Sequence, residues 1–466
     1  MYRRHLTPLL VLGLLSCATA QDKPLAFVHG TVYDGTEADP LPDGVVVVRG
    51  GRILVIGPHH RTDVPKGARV IDCRGKFLTP GLIDTHVHYS QTGWADGRPD
   101  AADVRSSHPY ATAMAKNATH PERFHRAFLA CGVTAVFDVG GYPWTRRLGA
   151  RTENSPLAPH VAATGALLTT WEPTILGLPD QKQFVLMKDE NTARYAVRSH
   201  AAAGSDAIKI WYIVRRGMSV EETAPLVKAV GDEARKIDLP LVVHATSLAT
   251  AKVAVAAGAH LLVHSVGDRP VDDEFIEAIL KAGTAYCPTL TVRAGYAQLY
   301  ARQPNQEVLD QLRYVHPSVR KRIQATARIE GGRRSSRRIV EAYAKRLQLQ
   351  GDIMAKNLRR LHEAGVPVVM GTDAGNPLTL HGPSVFPEME TMQAAGLTPR
   401  EVLTASTKDA ARAMGRGKDL GVLASGRIAD LLILAKDPGV DIKNMRSITH
   451  VCRAGVLHER SELIPK

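Results

Sequence analysis

The sequence predicts an α/β protein: a (β/α)8 TIM barrel joined to a small β-sandwich domain built from both ends of the chain. Three observations lead there. From Thr79 onward one rhythm recurs, a short Val/Ile/Leu strand, a polar turn and an Ala-rich amphipathic helix, which is the signature of βα units on a parallel sheet. Eight such strands can be counted, the number that closes a barrel. The flanks, Phe27 to Ile71 and Leu431 to Leu457, are instead rich in strands and turns. Neither flank is a large core by itself, so the two are expected to pair.

A length of 466 residues suits a barrel plus a smaller domain. An apolar content of 44% and a charged content of 23% are those of a globular chain. Residues 1–20 read as a signal peptide. Arg3-Arg4-His5 supplies a basic start, Leu6 to Leu15 an apolar stretch too short to span a bilayer, and Ala18-Thr19-Ala20 a cleavage site before Gln21. Leu14-Leu15-Ser16-Cys17 also reads as a lipobox, so a lipid anchor at Cys17 is the alternative to simple cleavage. The expectation is an exported protein, periplasmic or secreted, or else an envelope lipoprotein, with no later transmembrane span.

Residues 21–79 then form the first part of the sandwich, 80–420 the barrel and 421–466 the second part. The barrel strands are expected at Gly81–Tyr89, Thr134–Val139, Val161–Leu167, Ala207–Ile213, Leu241–Ala245, Leu261–Val266, Thr284–Val292 and Pro367–Thr372. Ser219 with Glu222 makes a capping box ahead of a helix running toward Arg235. Glu363-Ala364-Gly365-Val366-Pro367 ends one helix and opens strand eight. Cys73, Cys131, Cys287 and Cys452 are widely spaced, without a Cys-x-x-Cys pair, which argues against a disulfide framework and a zinc–thiolate site.

The net charge of +13 is unevenly placed. Between Tyr296 and Arg360 stand fifteen Lys/Arg against five Asp/Glu, including Arg320-Lys321-Arg322 and Arg333-Arg334-Ser335-Ser336-Arg337-Arg338. Solvated helices in an insertion around 296–360 explain this better than a nucleic-acid site, because Ile339, Tyr343 and Leu347 fall at helical spacing with charges on the other sides.

Chemistry concentrates at the strand ends. In Gly81-Leu82-Ile83-Asp84-Thr85-His86-Val87-His88 the two histidines project to one face of a strand, and paired neutral imidazoles suit a metal such as zinc. Lys209 sits in Ala-Ile-Lys-Ile-Trp, His244 in Leu-Val-Val-His-Ala, His264 in Leu-Leu-Val-His-Ser and Asp373 in Val-Met-Gly-Thr-Asp-Ala. Each alone has an ordinary explanation: a lysine pairs with an acid, a histidine sits satisfied in a core, an aspartate caps a helix. Together they end strands one, four, five, six and eight, where barrel active sites lie.

These residues resemble the amidohydrolase superfamily, specifically its imidazolonepropionase-like and Xaa-Pro dipeptidase-like branch. The similarity runs from about Phe27 to Leu457. It rests on Thr-Pro-Gly-Leu-Ile-Asp-Thr-His-Val-His, the single Lys209 on strand four, His244 and His264 twenty apart, Gly371-Thr372-Asp373-Ala374, and the closing Gly426-Arg427-Ile428-Ala429-Asp430-Leu431-Leu432. The resemblance implies two divalent metal ions, zinc in many members. His86, His88 and Asp373 would hold one and His244 and His264 the other, with carboxylated Lys209 bridging them. It further implies hydrolysis of an amide-like C–N bond by a metal-bridging hydroxide, with Asp373 as general base and then general acid.

The implied substrate is a small molecule, first a dipeptide with C-terminal proline or a similar residue, or an N-acyl amino acid. A cyclic amidohydrolase or lactonase is the alternative, and a catalytically silent scaffold on the same fold the non-enzyme one. A deaminase fits less well, since those members usually lack the bridging lysine. Nucleic acid is not an expected partner, and the resemblance leaves a homo-oligomer open. For substrate contacts the sequence offers Tyr212, three beyond Lys209, and His381, in a His-Gly pair after the final aspartate as in this branch. It also offers His108, in a Tyr89–Pro121 connection placed to act as a lid.

Overall fold

A computed structural model describes residues 23–329 and 337–466. The expected signal peptide, Cys17, the run Arg333 to Ser336 and the side chains of Arg337 and Ile339 lie outside the described residues. The strands are β1 (Leu25–Val32), β2 (Leu41–Arg49), β3 (Arg52–Pro58), β4 (Arg69–Asp72), β5 (Phe77–Pro80), β6 (Leu82–Val87), β7 (Val133–Asp138), β8 (His160–Ala163), β9 (Leu167–Thr169), β10 (Phe184–Leu186), β11 (Ile208–Trp211), β12 (Leu241–His244), β13 (Leu261–Val263), β14 (Ala285–Cys287), β15 (Leu431–Leu434), β16 (Ile448–Arg453) and β17 (Val456–Glu459).

Two parallel sheets make up the barrel. One has the order β6-β7-β8, the other β10-β9-β11-β12-β13-β14. The segment expected as a third strand joins them: it pairs with β7 through β8, breaks at Thr164–Ala166, and pairs with β11 through β9. Residues 367–374 supply the eighth staves of the wall without forming a regular strand. Tyr286 N–H donates to Pro367 O (2.8 Å) and Val369 N–H to Tyr286 O (3.0 Å) on one side. On the other, Thr85 N–H donates to Met370 O (3.1 Å), Asp373 N–H to His86 O (2.7 Å) and His88 N–H to Ala374 O (2.8 Å). The expected strand Thr284–Val292 is shorter, because Val292 already opens a helix, Val292–Ala301.

Both ends of the chain share one eight-stranded sheet of order β17-β16-β15-β5-β1-β2-β3, with β4 on β1. The junction is the antiparallel pairing of β15 with β5, Leu431 opposite Pro80 through Leu434 opposite Phe77. Phe27, Val46, Leu78, Leu431, Ile433 and Cys452 make its buried core. The Ser219–Glu222 capping box forms at the start of Val220–Lys236, each side chain bonding the other's backbone N–H at 3.1 and 2.8 Å. The insertion is helical, with Val292–Ala301, Gln306–Gln311, Pro317–Gln324 and Arg337–Glu363. On the last of these Tyr343 and Leu347 are half-buried and Lys345 and Arg346 exposed, as an amphipathic stripe requires. Among the described residues all four cysteines are buried and unpaired, and no helix is long and apolar enough to cross a membrane.

Asp84 locks the first strand to the eighth segment. Its fully buried carboxylate accepts Thr372 N–H (2.9 Å), Thr372 Oγ1–H (2.6 Å) and His86 N–H (3.2 Å). Asp84→Ala would strand those donors in the core. We expect a loss of about 2–4 kcal/mol in unfolding free energy, measured as a lowered urea midpoint; a change below about 0.5 kcal/mol would show that the clamp adds little.

Candidate metal centre

The pairing of β6 with β7 slips by one residue between Asp84 and Val87, and beyond Asp84 both His86 and His88 reach the cavity. Alternation along β11 aims Lys209 and Trp211 inward. His244 closes β12, His264 follows β13, and Asp373 follows the irregular turn at Gly371-Thr372. His264 and Asp373 hold φ of +75° and +62°, left-handed values that cost a non-glycine residue about 1 kcal/mol or more. Both turn the side chain back over the strand ends.

The six residues converge on one cavity of about 260 Å³. Asp373 Oδ1 lies 3.3 Å from His86 Nε2 and 3.0 Å from His88 Nε2, and its Oδ2 lies 3.9 Å from His264 Nε2. The rings of His86 and His264 are 4.9 Å apart, and those of His244 and His264 4.3 Å. One donor atom each from His86, His264 and Asp373 falls within a 4.8 Å sphere of distances. The outward nitrogens are already engaged: His88 Nδ1 with Gly140 O at 2.7 Å and His264 Nδ1 with Thr289 Oγ1 at 2.7 Å. Such contacts set the tautomer that leaves Nε2 facing the centre.

The donor set fits a cation. Burial first, and then neighbouring positive groups, push His86, His244 and His264 well below the usual 6.5, so they are neutral imidazoles at physiological pH. Both ring nitrogens of buried His86 lack a hydrogen-bond partner despite the approach of Asp373; a bound cation at Nε2 relieves that. Lys209 is 1% exposed, and burial drives its amine down to about 7 against the opposing pull of Asp373.

The residues offered for substrate contact fall elsewhere. Tyr212 points away from Lys209 on the alternating strand, is buried, and its hydroxyl meets Thr223 Oγ1 at 2.9 Å. His381 lies behind the centre, stacked on Phe124 at 4.0 Å with Nε2 against His88 O at 3.1 Å. His108 packs against Trp94, ring centroids 5.0 Å apart. None of the three lines the cavity. Its walls come instead from Leu167, Leu176, Phe184 and Trp211 on an apolar side and from Gln91, Arg98, Arg293, Tyr296 and Asn376 on a polar one. Trp211 was open to discovery from the period of Lys209's own strand. Arg293 and Tyr296 share a helix face at i, i+3, just beyond the strand expected to end at Val292.

A parallel eight-membered barrel with four histidines, a lysine and an aspartate gathered at its strand ends defines a barrel hydrolase. The chain belongs to the amidohydrolase family, whose model matches residues 77–457, and is thus an enzyme hydrolysing amide-like C–N bonds. It is similar to ochratoxinase of Aspergillus niger, 24% identical over 95% of this chain and 88% of that one. It is also similar to imidazolonepropionase of Chromobacterium violaceum, 25% identical over 87% of each. Among solved structures, a putative prolidase from Bifidobacterium longum superposes with a TM-score of 0.69 at 25% identity, covering 95% of this chain and 96% of that one. A Xaa-Pro dipeptidase with bound methionine gives 0.70 at 22%, covering 94% and 100%.

The lysine yields a pH test in metal-stripped protein. The unfolded chain keeps the Lys209 proton to 10.5 while the folded chain releases it near 7, so the unfolded state binds more protons in between and this contribution makes stability rise with pH. Lys209→Met is expected to abolish that rise and to raise the urea midpoint at pH 6. An unchanged pH slope would mean the amine is not desolvated.

Proposed function

We propose that the protein is an exported, zinc-dependent amidohydrolase that cleaves the amide bond of a dipeptide or N-acyl amino acid. The observation that carries this is the convergence of four histidines, a deprotonating lysine and Asp373 on a single cavity. In this reading His86, His88 and Asp373 would hold one divalent ion and His244 and His264 the second, with carboxylated Lys209 shared by both. When bound, the ions polarise the substrate carbonyl and make water nucleophilic near neutral pH.

The protein's own groups do the rest. An amine near pKa 7 is about half free base at neutral pH, so Lys209 Nζ can add to carbon dioxide, forming an N–C bond and losing one proton. Asp373 accepts the proton of the attacking water and passes it to the leaving amine. Asn376 Nδ2–H holds Asp373 Oδ1 at 2.6 Å, orienting the carboxylate for that transfer.

The cavity supports the substrate class. Arg98 is committed to a bidentate pair with Asp100 at 2.8 and 2.7 Å. Arg293 bonds Gln350 Oε1 and has no carboxylate within ion-pair distance among the described residues. It is available for the carboxylate of an amino-acid moiety, with Trp211, Phe184 and Leu176 opposite for an apolar group. Export follows from the basic, apolar and small-x-small order of residues 1–20.

The test is amine release from dipeptides, N-acyl amino acids and cyclic amides, and acid release from lactones, by protein starting at Gln21, purified with zinc and bicarbonate and assayed for metal. We expect turnover of the first two classes with two ions per chain, and loss of turnover on chelation. Turnover of lactones or cyclic amides alone would replace the substrate assignment. Asp373→Asn is expected to lower kcat by about 10³-fold with little change in Tm; near-normal kcat would remove Asp373 from proton transfer.

A further inference from the structure

A cleft larger than the metal cavity lies elsewhere on the barrel. It is an opening of about 800 Å³ between the helices Tyr110–Thr119 and Glu122–Ala130 and the stretch around His316. Lys116, Arg123, Arg126, His125 and His316 line it, and Glu122 is its one carboxylate side chain.

This positive charge is only partly balanced: Asp96 and Glu122 act on Arg123 without pairing with it, and Lys466 also lines the cleft. None of Lys116, Arg123 and Arg126 has a carboxylate within ion-pair distance among the described residues. The nearby acids are already taken: Glu122 accepts from His120 Nδ1 at 2.9 Å, and Asp96 pairs with Arg322 at 2.6 Å. Arg123 is the acute case. It is only 4% exposed, its Nη2 bonds the Asn117 side chain, and its Nε and Nη1 have no hydrogen-bond partner. The cation also lies over the Phe124 ring at 4.8 Å, a contact far too weak to offset loss of hydration. A void of about 10 Å³ beside Arg123 has room for one water at most. A water can serve an N–H, but it supplies no countercharge.

A guanidinium without a paired carboxylate, forming part of a cleft wall beside further cations, is the chemistry that captures an oxyanion. We propose that this cleft is a binding site for a phosphate-class oxyanion, separate from the metal cavity, with Arg123 at its floor and Lys116 and Arg126 at its walls.

The site sits close behind the metal centre. Asn117, which bonds Arg123, also donates from Nδ2 to the backbone oxygen of Gln91 at 3.0 Å, and Gln91 lines the metal cavity. Phe124 stacks on His381, which contacts the carbonyl of His88. Arg123 therefore reaches the metal-site loop through two contacts on the first route and three on the second.

The experiment is calorimetric titration and thermal unfolding of the metal-loaded chain with inorganic phosphate, against chloride at matched ionic strength. One saturable site per chain and a Tm rise of about 2 °C or more are expected. Arg123→Met should weaken phosphate binding at least about tenfold while leaving phosphate-free Tm equal or higher, because it removes an unpaired buried charge. A purely structural arginine predicts the opposite Tm change. Should that variant fail to fold, the rim pair Lys116→Gln and Arg126→Gln, expected to weaken binding similarly, decides the matter. Phosphate binding that survives these changes, or that disappears when the metals are removed, overturns the site. So does binding only to vesicles containing phosphatidylglycerol, which would assign the cleft to a membrane surface. Binding at this cleft is independent of the proposed hydrolysis, so neither result stands or falls with the other.

Discussion

The seam between the first barrel strand and the eighth segment is the constraint on which the site depends. Residues 367–374 are too irregular to be held by a continuous ladder, so the barrel closes there through separate contacts. Asp84 grips both backbone and side chain of Thr372, and the backbones of His86 and His88 exchange hydrogen bonds with Asp373 and Ala374. The same residues present ligating groups. Closing the barrel and setting Asp373 between the imidazoles of His86 and His88 are therefore one structural event, and the left-handed turn at Asp373 is tolerated because the seam over-determines it.

Burial is the second organising force. The centre holds its histidines and Lys209 in surroundings that penalise charge, which leaves neutral donors where water would leave a mixture. Without a cation the arrangement is costly: a buried histidine lacks partners and a lysine is pressed toward its free base. The interior of the barrel thus accepts a penalty at its mouth that the wall below, with Ile83, Val242, Leu261 and Cys287 buried, is able to carry.

What was legible in the sequence follows from periodicity. Each of the eight barrel segments lies where a short β-rich run predicts it, and the pairing of β5 with β15 agrees with the shared character of the two flanks. The six converging residues were legible because each sits at the end of such a run. Where period gave no help, the expectations strayed. Val292 continues an apolar run but begins a helix, and only that helix brings Arg293 and Tyr296 to the cavity. Nearness to Lys209 points to Tyr212, but alternation assigns the inward face to Trp211. His381 does adjoin the centre, but its ring faces Phe124 and a carbonyl on the outer side of His88, a position that no one-dimensional pattern encodes.

The treatment of arginine separates the parts of the molecule that hold shape from those free to recognise a ligand. Arg416 pairs with Glu153, Arg446 with Glu390 and Glu307, and Arg98 with Asp100; each is half or more withdrawn from water and each has its countercharge. Arg453, wholly buried, instead spreads its donors over the carbonyls of Thr152, Glu153 and Ala158 and stands close to the Asp430 carboxylate, which steadies its charge. Arg293 and Arg123 depart from this rule. Each is substantially withdrawn from solvent, each borders an opening, and each lacks a carboxylate among the described residues. Because an unpaired buried cation is a liability in an isolated fold, its presence at an opening is the common ground for the substrate carboxylate proposed in the cavity and the oxyanion proposed in the outer cleft.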